Sequence, residues 1–228
     1  MPLSGHVFTA PDGIRGFDAN ERISSKAAAA FHKHGYRFCL RYVRREKVND
    51  HDLSPGEAQG ILDAGLGLMP VQHVASEEAW VPTAAKGAAY GKTGAADCVR
   101  IGIPAGVTVW CDLEGVALGT PADDVIDYCN NWHAAVADAG YEPGLYVGFR
   151  AGLSATQLFK SLRFTHYWGA YNLNADEVPI VRELQMKQAV RKSADKVPGF
   201  NIAFQTDTIR TDALGGRPIV LAPEGWPG

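Results

Sequence analysis

Asp112 and Glu114 stand one residue apart at the end of the apolar, β-branched run Val107-Thr108-Val109-Trp110-Cys111-Asp112, and two carboxyls so placed can act as an acid/base pair. Alternate side chains of an extended strand share a face, so Thr108, Trp110, Asp112 and Glu114 point one way and Val107, Val109, Cys111 and Leu113 the other. The second set is wholly apolar and suits a layer of helices. That leaves the carboxylates facing the axis of a barrel, at the C-terminal strand end where barrel enzymes keep their sites. Cα atoms two positions apart on a strand are about 6.5 Å from one another, close enough to act on one substrate from different surroundings. The alternative is a pair of solvated acids opening a loop.

Asp18 ends the run Gly13-Ile14-Arg15-Gly16-Phe17-Asp18 on the face of Ile14 and Gly16. It is read as a functional carboxylate reaching the top of the barrel, because Ser24 and Ser25 are better placed to cap the helix that follows; loop capping is its other reading. Asp207 shares a face with Ala203 and Gln205, and is either a site carboxylate or part of an Asx-turn in Thr206-Asp207-Thr208. Tyr42, Tyr146, Trp168, Tyr171 and Gln188 fall at strand ends, where aromatic faces stack on pyranose rings and amides bond hydroxyls; core packing is the alternative for each. Tyr146 and Trp168 are expected to line a groove, since the small residues Gly148 and Gly169-Ala170 follow them. Arg41 alternates with Tyr42, and if it points inward its guanidinium needs a carboxylate such as Asp18 or Asp112; otherwise it is a surface arginine. The expected substrate-binding set is thus Arg41, Tyr146, Trp168, Tyr171, Gln188, Gln205 and Asp207. His73 with Glu77 and Glu78 has neither HExxH nor HxH spacing, so neither a metal nor a cofactor is expected.

These residues need elements to hold them. Short apolar runs alternate with helical patterns, the mark of βαβ units around a parallel sheet. The spacing predicts strands over 13–18, 36–42, 66–72, 107–112 and 145–149. Between them lie helices ending at His34-Gly35 and Ala64-Gly65, one over 83–101, and one over 121–139 with Thr120 as N-cap. Ser54 and Glu57 have the spacing of a capping box. Strands six to eight are read at 165–171, 184–188 and 202–205, with short helices between them, and the Gly/Pro-rich tail from Gly215 across the barrel bottom or side. Without a repeat, linker or low-complexity tract, residues 1–228 read as one (β/α)8 barrel of TIM type.

A net charge of −3 without a Lys/Arg-rich run argues against nucleic acid as a partner and suits an uncharged polymer. Cys39, Cys98, Cys111 and Cys129 lack CxxC or Cys/His spacing and read as buried thiols rather than a disulfide framework. The N-terminus has no signal-peptide pattern, and no apolar run approaches the roughly 18 residues of a membrane span. The expectation is cytosolic synthesis, with export by a dedicated machine or release on lysis left open.

Gly16-Phe17-Asp18, Leu40-Arg41-Tyr42, Ala64-Gly65-Leu66, the helix from Gly87 to Gly102-Ile103-Pro104, Asp112-Leu113-Glu114, and Gly140-Tyr141 through Gly144-Leu145-Tyr146 form an ordered series. It resembles the glycoside-hydrolase-like barrels of uncharacterised function, distant relatives of the family 25 lysozymes. The resemblance covers most of the chain and implies Asp18, Asp112 and Glu114 as the carboxylates, with Glu114 as general acid. The family 25 pattern ends in Trp-Gln followed by Asp-x-Asn, whereas Lys187-Gln188 and Gln205-Thr206-Asp207 stand here. The leading reading is a hydrolase of bacterial cell-wall glycan. A glycan-binding barrel without catalysis is the rival, and a barrel phosphodiesterase is disfavoured by the lack of paired histidines or a phosphate-binding basic cluster at the strand ends.

Overall fold

The computed structural model describes residues 2–76 and 79–227. Its strands are β1 (His6–Thr9), β2 (Arg15–Ala19), β3 (Phe38–Val43), β4 (Gly67–Gln72), β5 (Thr108–Leu113), β6 (Glu142–Val147), β7 (His166–Gly169), β8 (Met186–Ala189), β9 (Gln205–Ile209) and β10 (Ile219–Ala222). Its helices are α1 (Ser25–Lys33), α2 (Pro55–Asp63), α3 (Ala84–Ile101), α4 (Ala122–Asp138) and α5 (Ala155–Lys160). Strands β2 to β9 close into an eight-stranded barrel, sealed where Val71 and Gln72 of β4 meet Trp110 and Cys111 of β5. The helices thin out in the second half, where α5 is short and only single 3-10 turns occur in the connections after β7 and β8. None of the described helices is long and apolar enough to cross a membrane.

The alternation on β5 sorts as its residue types require: Val109, Cys111 and Leu113 join the apolar layer under the helices, while Trp110 packs inside the barrel. The same sorting turns Phe17 and Ala19 of β2 outward, and so Gly16 and Asp18 inward. A glycine is needed at position 16 because the Phe38 ring fills the space a side chain would take. Phe38, Leu40, Met69, Trp110, Trp168, Met186 and Ile209 fill the interior, so the barrel is packed through its middle and opens only at its ends.

Three expectations are corrected. Strand β9 starts at Gln205 rather than ending there, and it runs antiparallel to both β2 and β8. Segment 190–204 contains no α-helix to return the chain for a parallel pairing. Pro121, not Thr120, occupies the N-cap of α4, while the Thr120 hydroxyl donates to the Ala117 carbonyl within its own turn. The Ser54–Glu57 box is half made: Ser54 accepts from the Glu57 N–H, but the Glu57 carboxylate is engaged elsewhere. The tail folds back as β10, pairing with β1 along its length and with β4 at Leu68, and the Trp226 indole donates to the Arg37 carbonyl. The four cysteines are buried and free, and burial pushes their thiols well above the ordinary range.

Candidate active site

Asp18, Asp112, Tyr146, Trp168, Gln188 and Asp207 face the barrel interior from β2, β5, β6, β7, β8 and β9, and Glu114 follows one residue beyond β5. They meet at the end of the barrel where the parallel strands terminate. The Glu114 carboxylate lies against Gly148, where an added Cβ would come 2.5 Å from Oε2. The indole of Trp80 holds the backbone beneath it, donating to the Glu114 carbonyl at 2.6 Å. Tyr42 and Tyr146 report the gathering of acids: Asp18, Asp112 and Glu114 all push both phenols up, after the larger effect of burial, and Asp207 adds to this at Tyr146.

The floor is a hydrogen-bonded chain across five strands. The Tyr146 hydroxyl donates to Gln188 Oε1 at 3.2 Å, and Gln188 Nε2 donates to Asp18 Oδ2 at 2.9 Å. On the other side Trp168 Nε1 donates to Asp207 Oδ1 at 2.9 Å. Asp18 and Asp207 form a buried carboxyl pair: burial raises both, Asp207 the more strongly because Asp18 lies beside it and accepts its proton. Of the two, Asp207 is held further toward its protonated form.

This geometry makes a prediction about pH. An Asp whose folded-state pKa is raised contributes stability that is present below its unfolded value, near 3.8, and is lost as the pH rises through the folded value. Asp207→Asn keeps an acceptor for Trp168 and a donor for Asp18 but has no proton to lose. The variant is expected to match the parent at pH 3.5 and to become progressively more stable than it above pH 4, by up to about 1.4 kcal/mol per pH unit. Urea midpoints of both proteins from pH 3.5 to 8 provide the check, and a constant gap would contradict the shared proton.

Other expected site residues lie elsewhere or play different parts. Arg41 points away from the barrel axis, because on β3 it is Leu40 and Tyr42 that face inward; its Nε bonds Glu57 Oε1 of α2 at 2.7 Å. Trp168 is only 1% exposed and packs edge-on to Trp110, so it is floor rather than groove wall, and Tyr146 is likewise buried. Tyr171 is half exposed beyond β7. Gln205, half-buried, pairs with Asp18 nearer the mouth, while Asp207 sits deeper opposite Gly16, an order reversed from expectation by the direction of β9. His73 stacks on Tyr42 with ring centroids 4.4 Å apart and lies 3.4 Å from Asp52, while Glu77 and Glu78 lie outside the described residues. Among the described residues no group of three or more His, Cys, Asp or Glu is arranged to hold a metal ion.

The fold is a (β/α) barrel with reduced helices, and its acids gather at the end where the parallel strands terminate, the end at which enzymes of this architecture keep their sites. More narrowly, residues 29–198 match the model of the Rv2525c-like, glycoside hydrolase-like domain, and the chain belongs to that family. The Tat-secreted protein Rv2525c of Mycobacterium tuberculosis, solved with L-tartrate, superposes with a TM-score of 0.65 at 14% identity, over 87% of this chain and 96% of that one. A lysozyme from Streptomyces coelicolor gives 0.59 at 14% identity over 90% and 95%. A family 25 glycosyl hydrolase from Bacillus anthracis gives 0.57 at 14% identity over 90% and 92%. At such identities the likeness is one of fold. No curated protein sequence gives a significant match.

Proposed function

We propose that this protein is a glycoside hydrolase that cleaves the β-linked glycan of bacterial cell walls. The observation that carries the reading is the convergence of Asp18, Asp112 and Glu114 around the Tyr42 and Tyr146 phenols, with Asp207 beside Asp18. Glu114 is the general acid: it is the partly exposed carboxyl, beyond the strand end, where a bond held across the mouth can take its proton. Asp112 and Asp18 lie deeper, and their negative charge stabilises the oxocarbenium-like transition state as the leaving oxygen departs protonated. Gln188 and Asp207 hold Asp18 in place through their hydrogen bonds, and are positioning residues. Water completes the hydrolysis, attacking the anomeric carbon directly or after the substrate's own acetamido oxygen has closed on it.

Such a substrate lies outside the cytoplasm, and the likeness to a Tat-secreted protein supports an exported site of action. The test is incubation of the pure protein with insoluble peptidoglycan, followed by reducing-end assay and mass analysis of the soluble fraction. New reducing sugars on fragments cut between glycan units are the expected result. Retention on the wall without fragment release would replace the hydrolase with a glycan-binding barrel.

A further inference from the structure

Leu118, Phe149 and Tyr171 are 85%, 58% and 50% exposed, and they stand on the loops that follow β5, β6 and β7. Isolated exposed apolar residues are ordinary on a protein surface. Phe149 and Tyr171 differ from the exposed valines of the other loops in carrying rings, and they stand at neighbouring strand ends of the mouth. Phe149 and Tyr171 each stand two residues beyond Val147 and Gly169, which are register partners in the β6–β7 ladder, so the two rings project from adjacent strand ends. The loops after β3 and β4 expose Val48 and Val81 but, among the described residues, no large aromatic ring, and Arg45, Glu46, Lys47, Asn49 and His73 stand with Val74 and Ala75 around a cleft of about 410 Å³.

The Phe149 ring is held rather than loose. Gly148 N–H donates to the Leu113 carbonyl at 3.0 Å, Gly115 N–H to the Phe149 carbonyl at 2.8 Å, and Val116 N–H to the Arg150 carbonyl at 3.1 Å. These bonds lock the stretch 148–150 to the one carrying Glu114. Arg150 has a φ of +54°, a left-handed conformation that side-chain-bearing residues rarely adopt, and its guanidinium sits 4.9 Å over the Phe149 ring. Backbone strain of this kind collects at binding and catalytic sites. Here it adjoins an exposed aromatic ring, next to the Gly148 position against which the Glu114 carboxylate rests.

We propose that Phe149, flanked by Leu118 and Tyr171, is the stacking platform for the sugar on the leaving-group side of the scissile bond. The inference rests on the assignment of Glu114 as general acid. The Glu114 carboxylate rests against Gly148 at the end of β6, so a leaving oxygen that takes its proton, and the sugar that bears this oxygen, come over that strand end. The apolar face of a pyranose packs on an aromatic ring there, and the guanidinium of Arg150 covers the other side of that ring.

The experiment measures the Kd of a soluble cell-wall tetrasaccharide of alternating N-acetylglucosamine and N-acetylmuramic acid, in the Glu114→Gln background so that no cleavage occurs. Phe149→Ala is expected to weaken binding about tenfold or more, as is Phe149→Leu, which keeps apolar packing but has no flat face; Phe149→Trp is expected to bind within twofold of the parent. Val99→Ala, on α3 and also well exposed, serves as the control and should leave Kd unchanged. Melting temperatures are recorded for every variant. Phe149→Leu binding as tightly as the parent overturns the platform, and so does an equal loss in Val99→Ala. Wall cleavage by the unmodified protein together with undiminished binding in Phe149→Leu overturns the platform alone. A parent that neither binds the tetrasaccharide nor releases wall fragments overturns both the platform and the hydrolase reading.

Discussion

Glu114→Gln is expected to lower the rate of wall-glycan hydrolysis by about 10²- to 10⁴-fold, the usual contribution of a positioned general acid, while the melting temperature stays nearly unchanged. The amide has the shape of the carboxyl but no proton to give. The backbone of this stretch is held by bonds of its own: the Trp80 indole bonds the Glu114 carbonyl, and Gly115 and Val116 are tied to Phe149 and Arg150 by main-chain bonds. The side chain is only partly buried, so its replacement strands no charge in the core. Reducing-end release and thermal melting measured on the same preparation separate a chemical defect from a folding one. A Gln variant with activity within a few-fold of the parent would remove Glu114 from the role of acid.

The contrast with the deeper acids follows from burial. Asp18 and Asp207 sit in the floor, share a proton and are bonded by Gln188 and Trp168, so changes there act on stability and on charge together. Activity lost at Asp18 therefore needs a parallel melting measurement before it is assigned to chemistry.

The β5 site was legible in the sequence because residue types alternate there without exception: an apolar outer set and an inner set ending in two acids specify the face, and the face specifies the axis. Gly16 and Asp18 on β2 follow the same rule. The helix starts marked by Ser24 and Ser54 were legible too, since each hydroxyl accepts the N–H three residues on. The direction of β9 was not, because a two-residue period reads the same along either direction of a strand. Nor was the β1–β10 pairing, in which two short segments from opposite ends of the sequence meet. The exchange of roles among aromatics has a similar origin. Tyr146 and Trp168 were expected at the groove because small residues follow them, but depth within a barrel depends on the register among all its strands. That register buries Trp168 and leaves Phe149, two positions past the end of β6, at the rim.

Arg41 is the clearest case of a site residue misplaced by sequence, and it leads to the largest expected loss of stability. Its position between Leu40 and Tyr42 fixes it on the outer face of β3, where its side chain is fully buried under α2. A buried guanidinium must be paired, and Glu57 pairs it at 2.7 Å, while its other nitrogens donate to the carbonyls of Ala19 at 2.5 Å and His51 at 2.7 Å. Glu57 also accepts the Ile23 N–H at 2.9 Å, so one carboxylate ties β3 to the segment ahead of α1. Glu57→Ala strands the guanidinium in a dry layer and is expected to cost about 3–5 kcal/mol, a fall in melting temperature on the order of 10 °C for a chain of this size. Replacing both partners, Arg41→Leu with Glu57→Leu, removes the charge along with its counter-charge and is expected to recover most of that loss. The double variant should still be impaired in hydrolysis, because Arg41 anchors the carbonyl of Ala19, the residue after Asp18, and a carboxylate moved by a fraction of an ångström stabilises the transition state less well. Glu57→Ala melting within a degree or two of the parent would show that the pair is not the anchor of β2, and would leave the alignment of Asp18 to the Gln188 and Asp207 bonds alone.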